Sequence, residues 1–253
     1  MKPVGYPRGT ARSLSRSLRV YHGDHVRKVA MDSLYARFLR AGDLAFDIGA
    51  HVGDRISSFR RLGARVVALE PQPGPARALR LIHGRDPKVA LVEAACGDSV
   101  GSATLRINSA NPTVSTLSGE FVYAAHGQDG WREQVWDREL TVPCTTLDAF
   151  IGEHGLPAFI KIDVEGFEAH VLAGLSQTPP ALSFEFTTIQ RDVAEACLTR
   201  LAALGPYRFN VALGESQQLV FAEAIDAEAM SNYLRDLPHE ANSGDVYALL
   251  QPV

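Results

Sequence analysis

Short apolar runs, each closed by glycine, proline or a charged residue, recur along the chain, and between them apolar side chains return every three or four positions. The runs at 44–48, 65–69, 89–94, 159–163 and 182–186 are too short for buried helices and rich in Val, Ile, Leu and Phe, so they predict strands. The stretches at 54–62, 75–83, 165–175 and 191–204 carry helical spacing. Strands alternating with helices predict an α/β fold with a mostly parallel sheet covered on both faces. Ligands of such sheets sit beyond the carboxyl ends of the strands. Further strands are expected at 207–212, 218–222 and 246–250, with a helix at 227–234.

Ahead of the first strand, Val26, Val29, Ala30, Leu34 and Phe38 follow helical spacing behind Asp24, a good N-cap, and Gly42 supplies the stop. Residues 1–20 are polar, with Arg8, Arg12, Arg16 and Arg19 and no acid before Asp24. They read as a flexible or peripheral arm with solvated arginines, or as an arm that meets an anionic substrate or surface. The chain thus divides into an N-terminal arm and helix over 1–41 and one α/β domain over 42–253. One stretch, 108–138, breaks the rhythm: it is polar, contains glycine and carries Trp131 and Trp136. A connection that long is functional or disordered. Two tryptophans argue against disorder.

Composition narrows the classes. With 253 residues, 46% of them hydrophobic, the chain can bury the core of a single domain. A net charge of −4 argues against a general nucleic-acid binder. Cys96, Cys144 and Cys197 lie far apart without CxxC or Cys/His spacing, which argues against a disulfide framework or zinc site and fits a reducing, cytoplasmic setting. No apolar run approaches the ~20 residues that span a bilayer, and the N-terminus lacks the apolar core of a secretory signal, so no membrane insertion is expected.

The chemistry gathers around "LAFDIGAHVGD", where an apolar strand ends in Asp47 and a turn with Gly49 and Gly53 opens a helix. A dinucleotide fingerprint would need G-x-G-x-x-G, and Ala50, His51 and Val52 stand where its second glycine belongs. The next strand closes on Glu70, placed to accept hydrogen bonds from both hydroxyls of a ribose. Loop and acid together say nucleoside, although a plain strand-to-helix turn is the simpler reading of the loop alone. A nucleoside ligand with a zwitterionic tail and no pyrophosphate is S-adenosylmethionine, whose carboxylate suits the helix N-terminus and whose cation suits Asp47.

"FDIGAHVGDRISSFRRLGARVVALEPQP", followed by "TTLDAF" and "FIKIDVEGFEAHVLAGL", resembles the FkbM family of S-adenosylmethionine-dependent methyltransferases. The resemblance covers about 42–186 in motif order. It departs from the family pattern at His51, often asparagine there, and in the tryptophan-bearing insertion. It implies the Rossmann-like class I methyltransferase fold, a mostly parallel seven-stranded sheet with helices on both faces, here with an N-terminal helical extension. By the same resemblance Asp47, Gly49 and Gly53 line the methionine end of the donor, Glu70 holds its ribose, and Asp98 lies near the adenine amino group. Asp98 equally suits an ordinary turn before the strand "SATLRI".

Methyl transfer is an in-line displacement, so the protein must align the nucleophile and take its proton when it is a hydroxyl. Asp163, in "FIKIDVEGFE", is the first candidate for that role; capping the following helix is its structural alternative. Glu185 ends the neighbouring strand, and the pair would suit a divalent ion. Spacing offers no third ligand, and no metal is assigned. Lys161 is expected at the sheet surface or paired with an acid. His51 is the histidine candidate for a base, or a backbone hydrogen-bond partner; His126 and His170 are weaker. Trp131 and Trp136, with residues 111–118, are expected to wall an acceptor site, or the tryptophans anchor the insertion. The family resemblance implies methylation of an oxygen on a small-molecule, sugar or natural-product acceptor, glycosylated or not. N-methylation and donor or nucleoside binding without catalysis are the alternatives, and a nicotinamide oxidoreductase is disfavoured by the missing glycine.

Overall fold

A computed structural model of the chain describes residues 10–252. The helices are α1 (Thr10–Gly23), α2 (His25–Tyr35), α3 (Asp54–Arg61), α4 (Pro73–His83), α5 (Gly119–Ala125), α6 (Leu147–His154), α7 (Glu168–Ala173), α8 (Arg191–Leu204) and α9 (Ala227–Asp236). The strands are β1 (Leu44–Ile48), β2 (Arg65–Leu69), β3 (Val89–Val92), β4 (Ala95–Cys96), β5 (Gly101–Ile107), β6 (Arg138–Thr145), β7 (Phe159–Ile162), β8 (Ala181–Thr187), β9 (Tyr207–Leu213) and β10 (Ser243–Leu250).

Seven strands form one sheet in the order β3-β2-β1-β7-β8-β10-β9. The pairs from β3 through β8 are parallel, and β10 runs antiparallel to both β8 and β9. The order turns back on itself between β1 and β7, the switch point at which such sheets open a crevice at their carboxyl edge. This is the Rossmann-like class I methyltransferase arrangement. A second sheet, β4-β6-β5, stands beside it.

Strand alternation assigns the two faces. Leu44, Phe46 and Ile48 of β1 and Ile160 and Ile162 of β7 join one core with α6, α7, α8 and α9. Ala45 and Phe159 join the other with α2 and α3, where Phe38 stacks on both Phe159 and Tyr247. Asp47 and Lys161, paired in register, share this second face. The alternation that buries an apolar core thus also buries a polar row across the sheet.

Three details differ from the sequence reading, and a fourth agrees with it. The polar arm is helical from Thr10, with Ser13 and Ser17 buried on its inner face; Arg8 lies outside the described residues. The helix expected from 165 starts at Glu168, because Glu165 (φ 57°) and Gly166 (φ 81°) form a left-handed turn no α-helix can pass through. Glu168 Oε1 accepts from the Val164 and Gly166 N–H groups and closes that turn. Residues 218–222 are not a strand: the Asn210 side chain bonds both Phe221 N–H and Phe221 C=O, taking the place of a strand partner. The insertion is ordered, with α5 and a 3-10 turn (Pro112–Val114) inside it.

Candidate functional site

The carboxyl edge at the β1/β7 switch opens into a cavity of about 950 Å³, part of it open to solvent. Its floor is the turn after β1. Gly49 N–H and Ala50 N–H donate to the Leu69 carbonyl, and Asp163 N–H donates to the Ile48 carbonyl, so the turn is stitched to both neighbouring strands. Gly49 has φ 88°, and a Cβ there would overlap the Asp163 carbonyl. Only glycine fits that approach. Gly53 serves differently: it is the left-handed N-cap of α3, packed against Leu79 and His83 outside the cavity lining.

Asp47 and Glu70 are 1% and 3% exposed, and both line the cavity. Burial pushes the Asp47 carboxyl up to about 7, and its Oδ2 has no hydrogen-bond partner. The Glu70 carboxylate accepts from His51 N–H through Oε2 (2.8 Å) and from Gln72 N–H through Oε1 (2.7 Å). Each oxygen retains a lone pair toward the cavity. Burial raises this carboxyl to about 8, against the lowering effect of those two donors. His51 adopts φ 45°, meets the Tyr21 ring edge-on and has no partner at Nε2. Burial lowers it to about 4, so it is neutral at pH 7 and a weak base.

Asp163, Glu165 and Glu185 form the wall beside this floor. Lys161 Nζ, fully buried, donates to Asp245 Oδ1 (2.6 Å) and lies 3.2 Å from Asp163 Oδ2. Lys161 is therefore a paired structural cation and not a surface charge. Burial alone would raise the Asp163 carboxyl, but Lys161 and Arg55 outweigh it and hold it below the usual range. Glu165 and Glu185 are driven well above theirs, first by burial and then by the Asp163 charge. Glu185 Oε2 has no partner.

The roof comes from outside the parallel sheet. On α1, Tyr21 reaches the cavity, His22 Nε2 meets the Val52 carbonyl at 2.9 Å, and Ser13 Oγ donates to the Ser109 carbonyl. Arg27 lies 4.6 Å from the Tyr21 ring centroid and pairs with Asp54 (3.0 Å) and Glu215 (2.9 Å). From the insertion, Thr113, Ser115, Thr116 and Leu117 line the cavity. Thr116 Oγ1 donates to the Glu165 carbonyl, and Ser115 Oγ to Gln72 Oε1.

Besides Gly53, several expected residues are not brought to this site. Asp98 is exposed, accepts from Ser99 Oγ and lies outside the lining, because β4 carries the chain into the second sheet after Ala94, Ala95 and Cys96 have passed the cavity. Trp131 and Trp136 pack edge-on against Phe121 in a small core of the insertion, and Trp136 Nε1 donates to the Val114 carbonyl. They hold the insertion together and do not line the cavity. His126 and His170 are exposed and lie outside it as well. Glu165, expected beside Asp163 at the sheet edge, does line it, and the sequence reading missed Tyr21 and Glu215. Helical spacing of Leu14, Leu18 and Tyr21 was the available signal for α1, and Gly166 was the signal for a turn at Glu165.

A family model described as Methyltransferase FkbM domain matches residues 47–204. The 31-O-demethyl-FK506 methyltransferase FkbM of Streptomyces tacrolimicus is 33% identical over 195 residues, covering 67% of this chain and 72% of that protein. Among solved structures, a precorrin-6y C5,15-methyltransferase from Geobacter metallireducens GS-15 aligns over 89% of this chain and 88% of its own at 14% identity, with a TM-score of 0.46. A TehB-like SAM-dependent methyltransferase from Corynebacterium glutamicum ATCC 13032 aligns over 95% and 99% at 11% identity, also at 0.46.

Proposed function

The chain belongs to the FkbM family of S-adenosylmethionine-dependent methyltransferases, and from that premise we propose that its cavity joins S-adenosylmethionine to a small-molecule acceptor and methylates an acceptor hydroxyl. The arrangement of Glu70 carries this reading. A buried carboxylate at the tip of β2, fixed by two backbone donors and keeping a lone pair on each oxygen, suits a vicinal diol. The orphaned Asp47 Oδ2 suits the donor's cationic end, and Gly49 lets the floor turn beside it seat tightly on the Asp163 backbone. Leu69, Ala95, Cys96 and Leu105 supply an apolar wall for a flat base.

When bound, the donor supplies a methyl group on a sulfonium; everything else falls to the protein. Ionised Asp163 accepts a hydrogen bond from the acceptor hydroxyl and orients it. Asp163 then takes its proton, while Glu185, held protonated by burial and the Asp163 charge, adds no second negative charge beside it. Tyr21 and the 113–117 segment keep water from the reacting atoms. Oxygen as the methylated atom is supported by this proton acceptor and by the relative from Streptomyces tacrolimicus, whose name specifies an O-demethyl substrate.

Calorimetric titration of S-adenosylhomocysteine, S-adenosylmethionine and NAD into wild type and Glu70→Ala tests the donor site. The two adenosyl ligands are expected to bind wild type and to weaken at least tenfold in the variant, with no NAD binding. Absence of adenosyl binding to wild type would overturn the reading. A screen of hydroxyl and amine acceptors, with the product's methyl located by mass spectrometry, then tests the atom.

A further inference from the structure

Sequence spacing pairs Asp163 with Glu185 at neighbouring strand ends and stops there. An oxygen of Asp163 and one of Glu185 lie within 4.8 Å of each other, so two carboxyl groups that repel when ionised call for a proton or a cation between them. Independently of that pair, the left-handed turn brings a third carboxylate. Glu165 is 7% exposed and has no side-chain hydrogen bond among the described residues. It is aimed at the pair: one oxygen from each of the three residues lies within 4.8 Å of the other two. The ammonium at hand, Lys161, is already held between Asp163 and Asp245 and does not satisfy Glu165 or Glu185.

Three carboxylate oxygens this close, with two of the side chains lacking a donor, make a ligand set for a hard divalent cation, which takes oxygen ligands and keeps open positions for water or a hydroxyl. We propose that Asp163, Glu165 and Glu185 bind one divalent ion of the magnesium or manganese class on the acceptor side of the cavity. The ion holds the acceptor hydroxyl and lowers its pKa, with Glu185 ionised as a one-oxygen ligand whose second oxygen takes the proton. This rests on the methyltransferase reading of the same cavity, yet it is measurable without turnover.

Chelator-treated protein is titrated with Mn²⁺, following the loss of the free-ion EPR signal. Wild type is expected to take up one ion saturably. Glu165→Gln and Glu185→Gln are expected to bind it at least tenfold more weakly, while the exposed control Glu223→Gln binds it as wild type does. S-adenosylhomocysteine titrated into the same four proteins is expected to bind all of them, which separates loss of the ion site from loss of the donor site or the fold. Failure of wild type to take up Mn²⁺, or equal uptake by both glutamine variants, would overturn the proposal and leave a proton shared by Asp163 and Glu185. Failure of S-adenosylhomocysteine to bind wild type would instead strike the donor reading, whatever Mn²⁺ does.

Discussion

Glu70 makes opposite demands on the free and the liganded protein. Burial raises its carboxyl to about 8 from an ordinary 4.5, so the native chain keeps a proton that the unfolded chain gives up between those values. Its contribution to ligand-free stability is therefore complete below about 4.5 and is lost as pH rises through about 8. Ribose binding asks for the ionised form, so S-adenosylhomocysteine affinity should move the other way, rising with pH up to about 8 and then levelling. Calorimetry between pH 6 and 9 checks this. Glu70→Gln should flatten both dependences, and an unaltered pH profile in the variant would assign them elsewhere. Asp47 and Glu70 were legible as acids ending apolar runs. Glu165 was legible as a carboxylate at the sheet edge but not as part of a left-handed turn, because helical spacing continues through it and Gly166 alone hinted at the bend.

At the scale of elements, the insertion and α1 are where the sequence was hardest to read. The tryptophans marked 108–138 as ordered, but aromatic content does not say which way a ring faces. The structure turns them into the insertion's own core with Phe121. Trp136→Phe should then remove one hydrogen bond to the Val114 carbonyl and cost about 1 kcal/mol in urea unfolding. Donor affinity should stay within about twofold, since the ring does not line the cavity. A tenfold loss of affinity without loss of stability would return it to the cavity wall. The small second sheet escaped notice for a related reason. Its first strand, β4, has two residues, too few to show alternation. The arginines of α1 mask a helix whose inner face is built from small serines and spaced leucines.

Across the whole molecule, the parallel half of the sheet follows from alternating strands and helices, and β1 and β2 begin and end where the apolar runs do. The placement of β10 between β8 and β9 does not follow, because periodicity reports which residues form a strand and not which strand lies beside it. Lys161 and Asp245 fasten this arrangement, joining β7 to β10 across 84 positions of chain. Lys161→Met would leave Asp245 buried without its cation, a loss of about 3–5 kcal/mol at neutral pH. Part of that loss should return on acidification, when Asp245 can take a proton. Urea unfolding at pH 5 and pH 7 measures both, and a loss under about 1 kcal/mol would mean that water replaces the lysine.

Arg27 and Arg55 both pair with Glu215, 188 and 160 positions away, while also holding Asp54 at the start of α3. A chain emerging from a ribosome would have made the glycine turn and the acid of β2 long before residue 215 arrived. Closing such a wide loop costs only slightly more entropy than closing a narrow one, so the late contact still forms. The consequence is one of timing: the residues of the floor turn are made first, the Asp163 that bonds that turn follows, and Glu215 comes last. The donor pocket is thus completed only once residue 215 has joined the residues far ahead of it.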